Sequence, residues 1–171
     1  YGIVFGDWSS DVCSSDLSIA LHFIAIGTSF QGNYELARSQ FEECIILMKE
    51  GHGSAQGIAF SEFHLGRIAR IGGNLESARQ HHATGLELFT HMGDKRGVGY
   101  SLFGFACLAQ AQEDPQLTAR LIGAVDAIRN ELGDLLEAVL QIEYEQTYSA
   151  IRELLGEESF GVAWRKGYEL P

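Results

Sequence analysis

Arg67 and Arg70 stand three residues apart, and Phe60 and Phe63 precede them in the same run. On a helix, residues three or four apart share a face, so two guanidiniums and two rings gather there. Such a set suits an anion: guanidinium forks hold a carboxylate through charge-assisted hydrogen bonds, and rings add contact area. The competing reading pairs the arginines with glutamates of the same chain and places Phe60 in the core. The histidines offer less. His81 and His82 are adjacent, which on a helix turns them about 100° apart, a poor pair for one metal ion even with His91 nearby. Glu42-Glu43, Glu143 with Glu145, and Glu157-Glu158 fall on helix faces as solvated carboxylates; general acid–base work needs a pair whose pKa values burial has shifted. Gly51-His-Gly-Ser-Ala-Gln-Gly57 has neither the spacing nor the lysine of a phosphate loop. Gly27-Thr-Ser-Phe-Gln-Gly32 is not a nucleophile elbow, and no HExxH run occurs. The expectation is no catalytic residue, no cofactor and no metal.

The elements that position these residues are helical. Only two prolines occur in 171 residues, and Ala, Leu, Glu, Gln and Arg are abundant. The formal charge is −11 with a pI near 4.9, which argues against a nucleic-acid surface, since phosphate neutralisation needs clustered Lys and Arg. No apolar run approaches the roughly 20 residues that span a bilayer. Cys13, Cys44 and Cys107 form no CxxC pair, so neither a disulfide framework nor a metal knuckle is expected, and a reducing, cytoplasmic setting follows.

The chain repeats itself. Gly57-Ile-Ala-Phe-Ser-Glu-Phe-His-Leu-Gly66 aligns with Gly97-Val-Gly-Tyr-Ser-Leu-Phe-Gly-Phe-Ala106, and Met92-Gly-Asp94 recurs as Leu132-Gly-Asp134, both with a period of 40. Gly32-Asn-Tyr-Glu-Leu-Ala-Arg38 recurs as Gly73-Asn-Leu-Glu-Ser-Ala-Arg79 with a period of 41. A fixed period of this size is the mark of a repeat architecture. Each unit reads as two helices. In the second, Ile58, Phe60, Phe63, Leu65, Ile68 and Ile71 make an apolar face, Gly72-Gly-Asn74 breaks it, and a second helix runs from about Leu75 to Met92. The other units turn at Gln31-Gly-Asn33 and Glu113-Asp-Pro115. Small residues fall where two antiparallel helices approach: Ala25 with Ala37, Gly66 with Ala78, Ala106 with Ala119. Leu135 to Leu155 reads as one amphipathic helix with Leu136, Val139, Leu140, Tyr144, Tyr148 and Ile151 on one side, and Glu157 to Tyr168 as a short final helix presenting Phe160 and Trp164 to the core.

These residues carry a resemblance. Leu65-Gly66…Ala69…Ala78, with Ile24-Ala25…Thr28…Ala37 before it, resembles the tetratricopeptide repeat, in a form longer than the usual one. With its Gly-Asn-Tyr-Glu-Leu-Ala-Arg turn and its Glu143-Tyr-Glu…Leu155-Gly-Glu-Glu-Ser-Phe-Gly-Val-Ala-Trp-Arg-Lys-Gly167 ending, it is similar to the C-terminal repeats of bacterial LuxR-type and SARP-type regulators and of some class III adenylate cyclases, which follow an ATPase module. The resemblance covers Ser18 to Pro171. It departs from the family at His82 and Gly123, which replace a bulky apolar residue, so loose packing is expected in the third unit. The resemblance implies an all-α, right-handed α-solenoid of three helix pairs (18–56, 57–96, 97–134) closed by capping helices (135–171). In that family the first helix of each pair lines a concave groove. Carried over, the groove positions are Ile19, His22 and Ile26; Phe60, Phe63, Arg67 and Arg70; Tyr100, Phe103 and Cys107. The implied function is a non-catalytic interaction or sensor module of a larger signalling ATPase or transcription regulator, binding a protein, a peptide or a small anionic effector and acting on ATPase and effector domains of the same polypeptide. The alternative is a regulatory repeat region of an enzyme polypeptide such as a class III nucleotide cyclase or kinase.

Asp7-Trp-Ser-Ser-Asp-Val-Cys-Ser-Ser-Asp-Leu17 resembles the conceptual translation of a sequencing-library adapter. Residues 1–17 are therefore expected to be non-native and to pack weakly or irregularly, with the protein's own N-terminal side missing.

Overall fold

The computed structural model describes residues 10–50, 54–133, 136 and 138–170. Residues 1–9, the glycine-rich run at 51–53, Asp134 and Leu135 lie outside the described residues, as does the side chain of Val139. Among the described residues seven helices follow in order: α1 (Ser10–Phe30), α2 (Tyr34–Glu50), α3 (Ala55–Ile71), α4 (Leu75–Met92), α5 (Lys95–Ala111), α6 (Pro115–Leu132) and α7 (Ala138–Tyr168). The described residues contain no strand, so the fold class is all-α.

The helix ends follow from local chemistry. Asn74, Asp94 and Asp114 each accept a hydrogen bond from the backbone N–H three residues on, the N-cap arrangement that satisfies a helix's free donors, and Pro115 opens α6. The three turns inside the units share one geometry. The N–H groups of Asn33, Asn74 and Asp114 bond back to the carbonyls of Thr28, Ala69 and Ala109, and the residue before each has positive φ: Gly32, Gly73 and Glu113. Two are glycine because the left-handed region carries no steric penalty there; Glu113 takes the same conformation at a cost of about 1 kcal/mol.

α1 begins at Ser10, inside the segment that resembles a translated adapter. Once a helix is nucleated, each further residue adds one hydrogen bond at little cost, so a helix held by the core from Ser18 onward propagates back into a sequence with no breaker.

Each helix packs on the next in the chain, and α1, α3, α5 and α7 also touch in succession. Ala25, Ala37, Gly66, Ala78, Ala106 and Ala119 are all buried. Leucine in place of Ala78 overpacks the α3–α4 contact, and urea unfolding of Ala78→Leu is expected to show a loss on the order of 1–3 kcal/mol.

The two departures from the repeat pattern pack tightly, against the expectation of a loose third unit. The His82 ring lies between α3 and α5, where a Cβ on Gly66 would sit 2.6 Å from its Cε1 and one on Gly104 2.5 Å from the same atom. Two glycines make the slot that a ring fills. At Gly123 the missing side chain admits backbone: a Cβ there would overlap the Trp164 carbonyl, and one on Gly167 would overlap that of Arg120. α6 and the end of α7 thus meet glycine to backbone.

α7 is not straight. Gly156 has φ 73° and ψ 159°, a conformation open to glycine. The Tyr148 and Phe160 rings lie 5.1 Å apart, although twelve residues of straight helix would separate them by roughly 18 Å. The chain folds back at Gly156 into two arms, and both reach α6: Asp126 accepts from the Tyr144 hydroxyl and, at 2.8 Å, from Trp164 Nε1. Leu140, Tyr144 and Ile151 of the first arm and Phe160 of the second are buried, as the apolar spacing of these segments predicts.

Candidate functional site

Arg67 and Arg70 point from one face of α3 toward the first arm of α7, and a single carboxylate lies between them. Arg67 Nε donates to Glu143 Oε2 at 3.0 Å, and Arg70 donates to Glu143 Oε1. Arg67 also reaches α1, where Nη1 lies 3.4 Å from Ser29 Oγ and the guanidinium sits 5.4 Å from the Phe30 ring centre. The three charged side chains are only 13%, 17% and 22% exposed. Two cations and one anion in a half-buried place leave a net positive charge, and each carboxylate oxygen receives a guanidinium donor. Two guanidiniums thus share one carboxylate, each through a single charge-assisted hydrogen bond.

The rings named with the arginines are placed differently. Phe63, Tyr100 and Phe103 are core residues, and Phe60 packs partly buried against them. Edge-to-face contacts join Tyr100 to Phe60 at 5.3 Å and to Phe63 at 5.2 Å. They are inter-helix packing rather than an open groove lining, because α3 and α5 approach closely enough to share one aromatic cluster. The cavity beneath the arginines, bounded by Phe63, His82, Phe103, Cys107, Leu140 and Glu143, has about 10 Å³, room for no more than one water-sized body.

On α1, Ile19 is exposed and Ile26 packs against the α1–α3 core. His22 is half-buried, its Nδ1 3.0 Å from Ser61 Oγ, and burial lowers its pKa. Burial pushes the Cys107 thiol up to about 12 and raises Cys44 as well, so neither is a thiolate at neutral pH. Cys44 Sγ is turned to the Ser18 carbonyl at 3.1 Å. His81 pairs with Glu62 at 2.7 Å, while His82 is enclosed by the glycines, so the two histidines do not converge. Among the described residues no group of three or more His, Cys, Asp or Glu could hold a metal ion, and no helix is long and apolar enough to cross a membrane.

The arginines pair with a glutamate of the same chain and Phe60 and Phe103 pack in the core, which is the competing reading of the sequence; what the sequence did not single out is that Glu143, Ser29 and Phe30 are the partners, and that Asp126 bridges the two arms of α7. A larger cleft of about 560 Å³ lies on the other side of α5 and α6, with Leu102, Leu117, Leu121 and Ile128 in its wall and Lys95 and Arg120 at its rim.

What the site can do is hold a carboxylate. No family model, no curated protein and no solved structure matches this chain.

Proposed function

We propose that the chain is a non-catalytic interaction and sensor module, a right-handed tetratricopeptide-like solenoid belonging to a larger bacterial signalling ATPase or transcription regulator of the cytoplasm. The period of 40–41 residues and the serial packing of its helices support the repeat reading. The single observation that carries the binding reading is the convergence of Arg67 and Arg70 on one carboxylate. In this reading Glu143 occupies the site in the free protein, and an acidic peptide or small anionic effector replaces it. A partner that displaces Glu143 loosens the first arm of α7 from α3, which gives the module a way to report binding to domains elsewhere in the polypeptide.

The test is a binding screen of peptides with a free C-terminal carboxylate, and of nucleotides, against the intact chain. Arg67→Ala with Arg70→Ala is expected to weaken any binding by roughly 2–5 kcal/mol while the helical circular dichroism persists. Glu143→Gln, which removes the internal competitor, is expected to strengthen it. Binding undiminished in the double variant would remove the arginines from the site.

A further inference from the structure

We infer that the outer face of α1 is a repeat interface built to receive the second helix of a preceding helix pair of the same kind. The inference goes beyond the anion site and stands whether or not the arginines bind anything.

The same positions recur in three units. Phe23 of α1 matches His64 of α3 at an offset of 41 and Gly104 of α5 a further 40 on; Ile24 matches Leu65 and Phe105 in the same way. In α3 and α5 these positions face the preceding unit. His64 stacks on Phe41 of α2 with ring centres 5.0 Å apart and planes 5° from parallel. Leu65 joins a buried cluster with Ala37, Phe41 and Ile45 of α2. Gly104 receives the His82 ring of α4. One turn earlier, Ser61 meets Cys44 at 3.9 Å, and Ser101 lies 3.6 Å from where a Cβ on Gly85 would be. Cys44 and Gly85 are themselves 41 apart, as are Phe41 and His82. The same contact is thus built twice, from a ring on the second helix of one unit and a small residue three positions later.

In α1 the matching face is bare. His64 and Leu65 are 2% and 3% exposed, whereas Phe23 and Ile24 are 65% and 55% exposed. Ala20, the counterpart of Ser61, and Gly27, the counterpart of Ile68, are exposed too, and a Cβ on Gly27 would meet nothing within 4 Å. Adjacent large apolar side chains left in water mark an interaction surface, and this one continues an interface that the fold already uses between α2 and α3 and between α4 and α5.

The occupant follows from that continuity. It is a helix presenting a ring or large aliphatic residue toward Phe23 and a small residue one turn on toward Ala20, as α2 and α4 do for their successors. A second copy stacked head to tail cannot supply it, because the surface of α6 that corresponds to those of α2 and α4 is covered by the arms of α7 at Gly123. The neighbour is an upstream pair of the same polypeptide.

The test supplies such a pair. A copy of residues 54–94, carrying α3 and α4 with their caps, replaces residues 1–13, which preserves the repeat spacing. The extended chain is expected to melt at least about 5 °C above the 171-residue chain, because a solenoid gains one interface term with each added unit. Phe23→Ser with Ile24→Ser is expected to shift the Tm of the 171-residue chain by less than about 2 °C and that of the extended chain by several times more. An extended chain with no gain in Tm, or a double substitution with equal effects in the two chains, overturns the inference. A control needs no fusion: in the 171-residue chain Leu65→Ser must lower Tm far more than the double substitution, and equal losses mean that the α1 face is already covered. Concentration-dependent dimers abolished by the double substitution would assign the face to a second copy and likewise overturn it.

Discussion

Between pH 6.5 and pH 4.5 the fold is expected to lose on the order of 5 kcal/mol through two side chains, His64 and His82. Both rings are buried, and burial first, then the charges of neighbouring histidines and of Arg67 or Arg70, lowers each pKa to about 3. Neither nitrogen of His82 and not Nδ1 of His64 finds a hydrogen-bond partner, so no bond at those atoms favours the protonated ring. An unfolded histidine takes up its proton below about pH 6.5. From there down to about 3 the unfolded chain binds two protons that the folded chain refuses. Stability is therefore complete above 6.5 and falls with pH by about 1.4 kcal/mol per unit for each ring. His64→Phe and His82→Phe copy the residues that the first unit carries at these positions, Phe23 and Phe41. Urea unfolding at pH 7, 6 and 5 is expected to show the slope cut in either single variant and cut most in the double, which keeps only the smaller part due to groups such as His22, whose pKa burial also lowers. An unchanged acid slope in the double variant would move the origin of acid sensitivity elsewhere.

Gly123→Ala is expected to be among the most damaging single-methyl changes in the chain, with a loss of about 3 kcal/mol or more. The added Cβ meets the Trp164 carbonyl and the backbone nitrogen of Tyr168, and backbone inside a helix cannot swing aside as a side-chain tip can. The second arm of α7 must then lift from α6, which withdraws Trp164 from Asp126 and loosens the cluster of Ala119, Ile151, Phe160 and Ala163. At roughly 2–4 °C per kcal/mol for a chain of this size, thermal melting resolves the effect easily. Gly161→Ala is the control. It lies in the same arm with nothing within 4 Å of a new Cβ, so the gain in helix propensity is expected to stabilise by roughly 0.5–1 kcal/mol. A Gly123→Ala protein as stable as the parent would mean that the arm does not sit on α6.

The repeat period placed most helix ends because the signals that set them are local. Gly73 and Asn74, Gly93 and Asp94, and Asp114 with Pro115 act within four or five residues of themselves, and all stand where the sequence put its turns. The small-residue pairs were legible for the same reason, since a helix hairpin joins positions only twelve or thirteen residues apart. What escaped was set across the stack. Glu143 lies 76 residues from Arg67 and 73 from Arg70, and no periodicity within a unit says which carboxylate a later helix brings back to an earlier one. The rings beside the arginines were assigned by analogy to a groove, but which face of α3 a ring covers depends on how closely α5 approaches. His82 and Gly123 were legible only in part: the glycines that accommodate them, Gly66, Gly104 and Gly167, are visible in the sequence, but it takes the helix crossings to show that each gap is filled.

The link from Glu143 to α3 also bears on how the protein comes together. Nearly all the helix packing joins elements that are neighbours or next neighbours along the chain, and such short-range closure is fast and can proceed in order from the N-terminal end. α1 to α6 can therefore assemble as they are synthesised. The bond between α3 and Glu143 cannot form until α7 exists, and until then Arg67 and Arg70 remain open to solvent and to any competing carboxylate nearby. The ion pair therefore waits for the first arm of α7, and the contacts of the second arm, Trp164 with Asp126 among them, wait longer still.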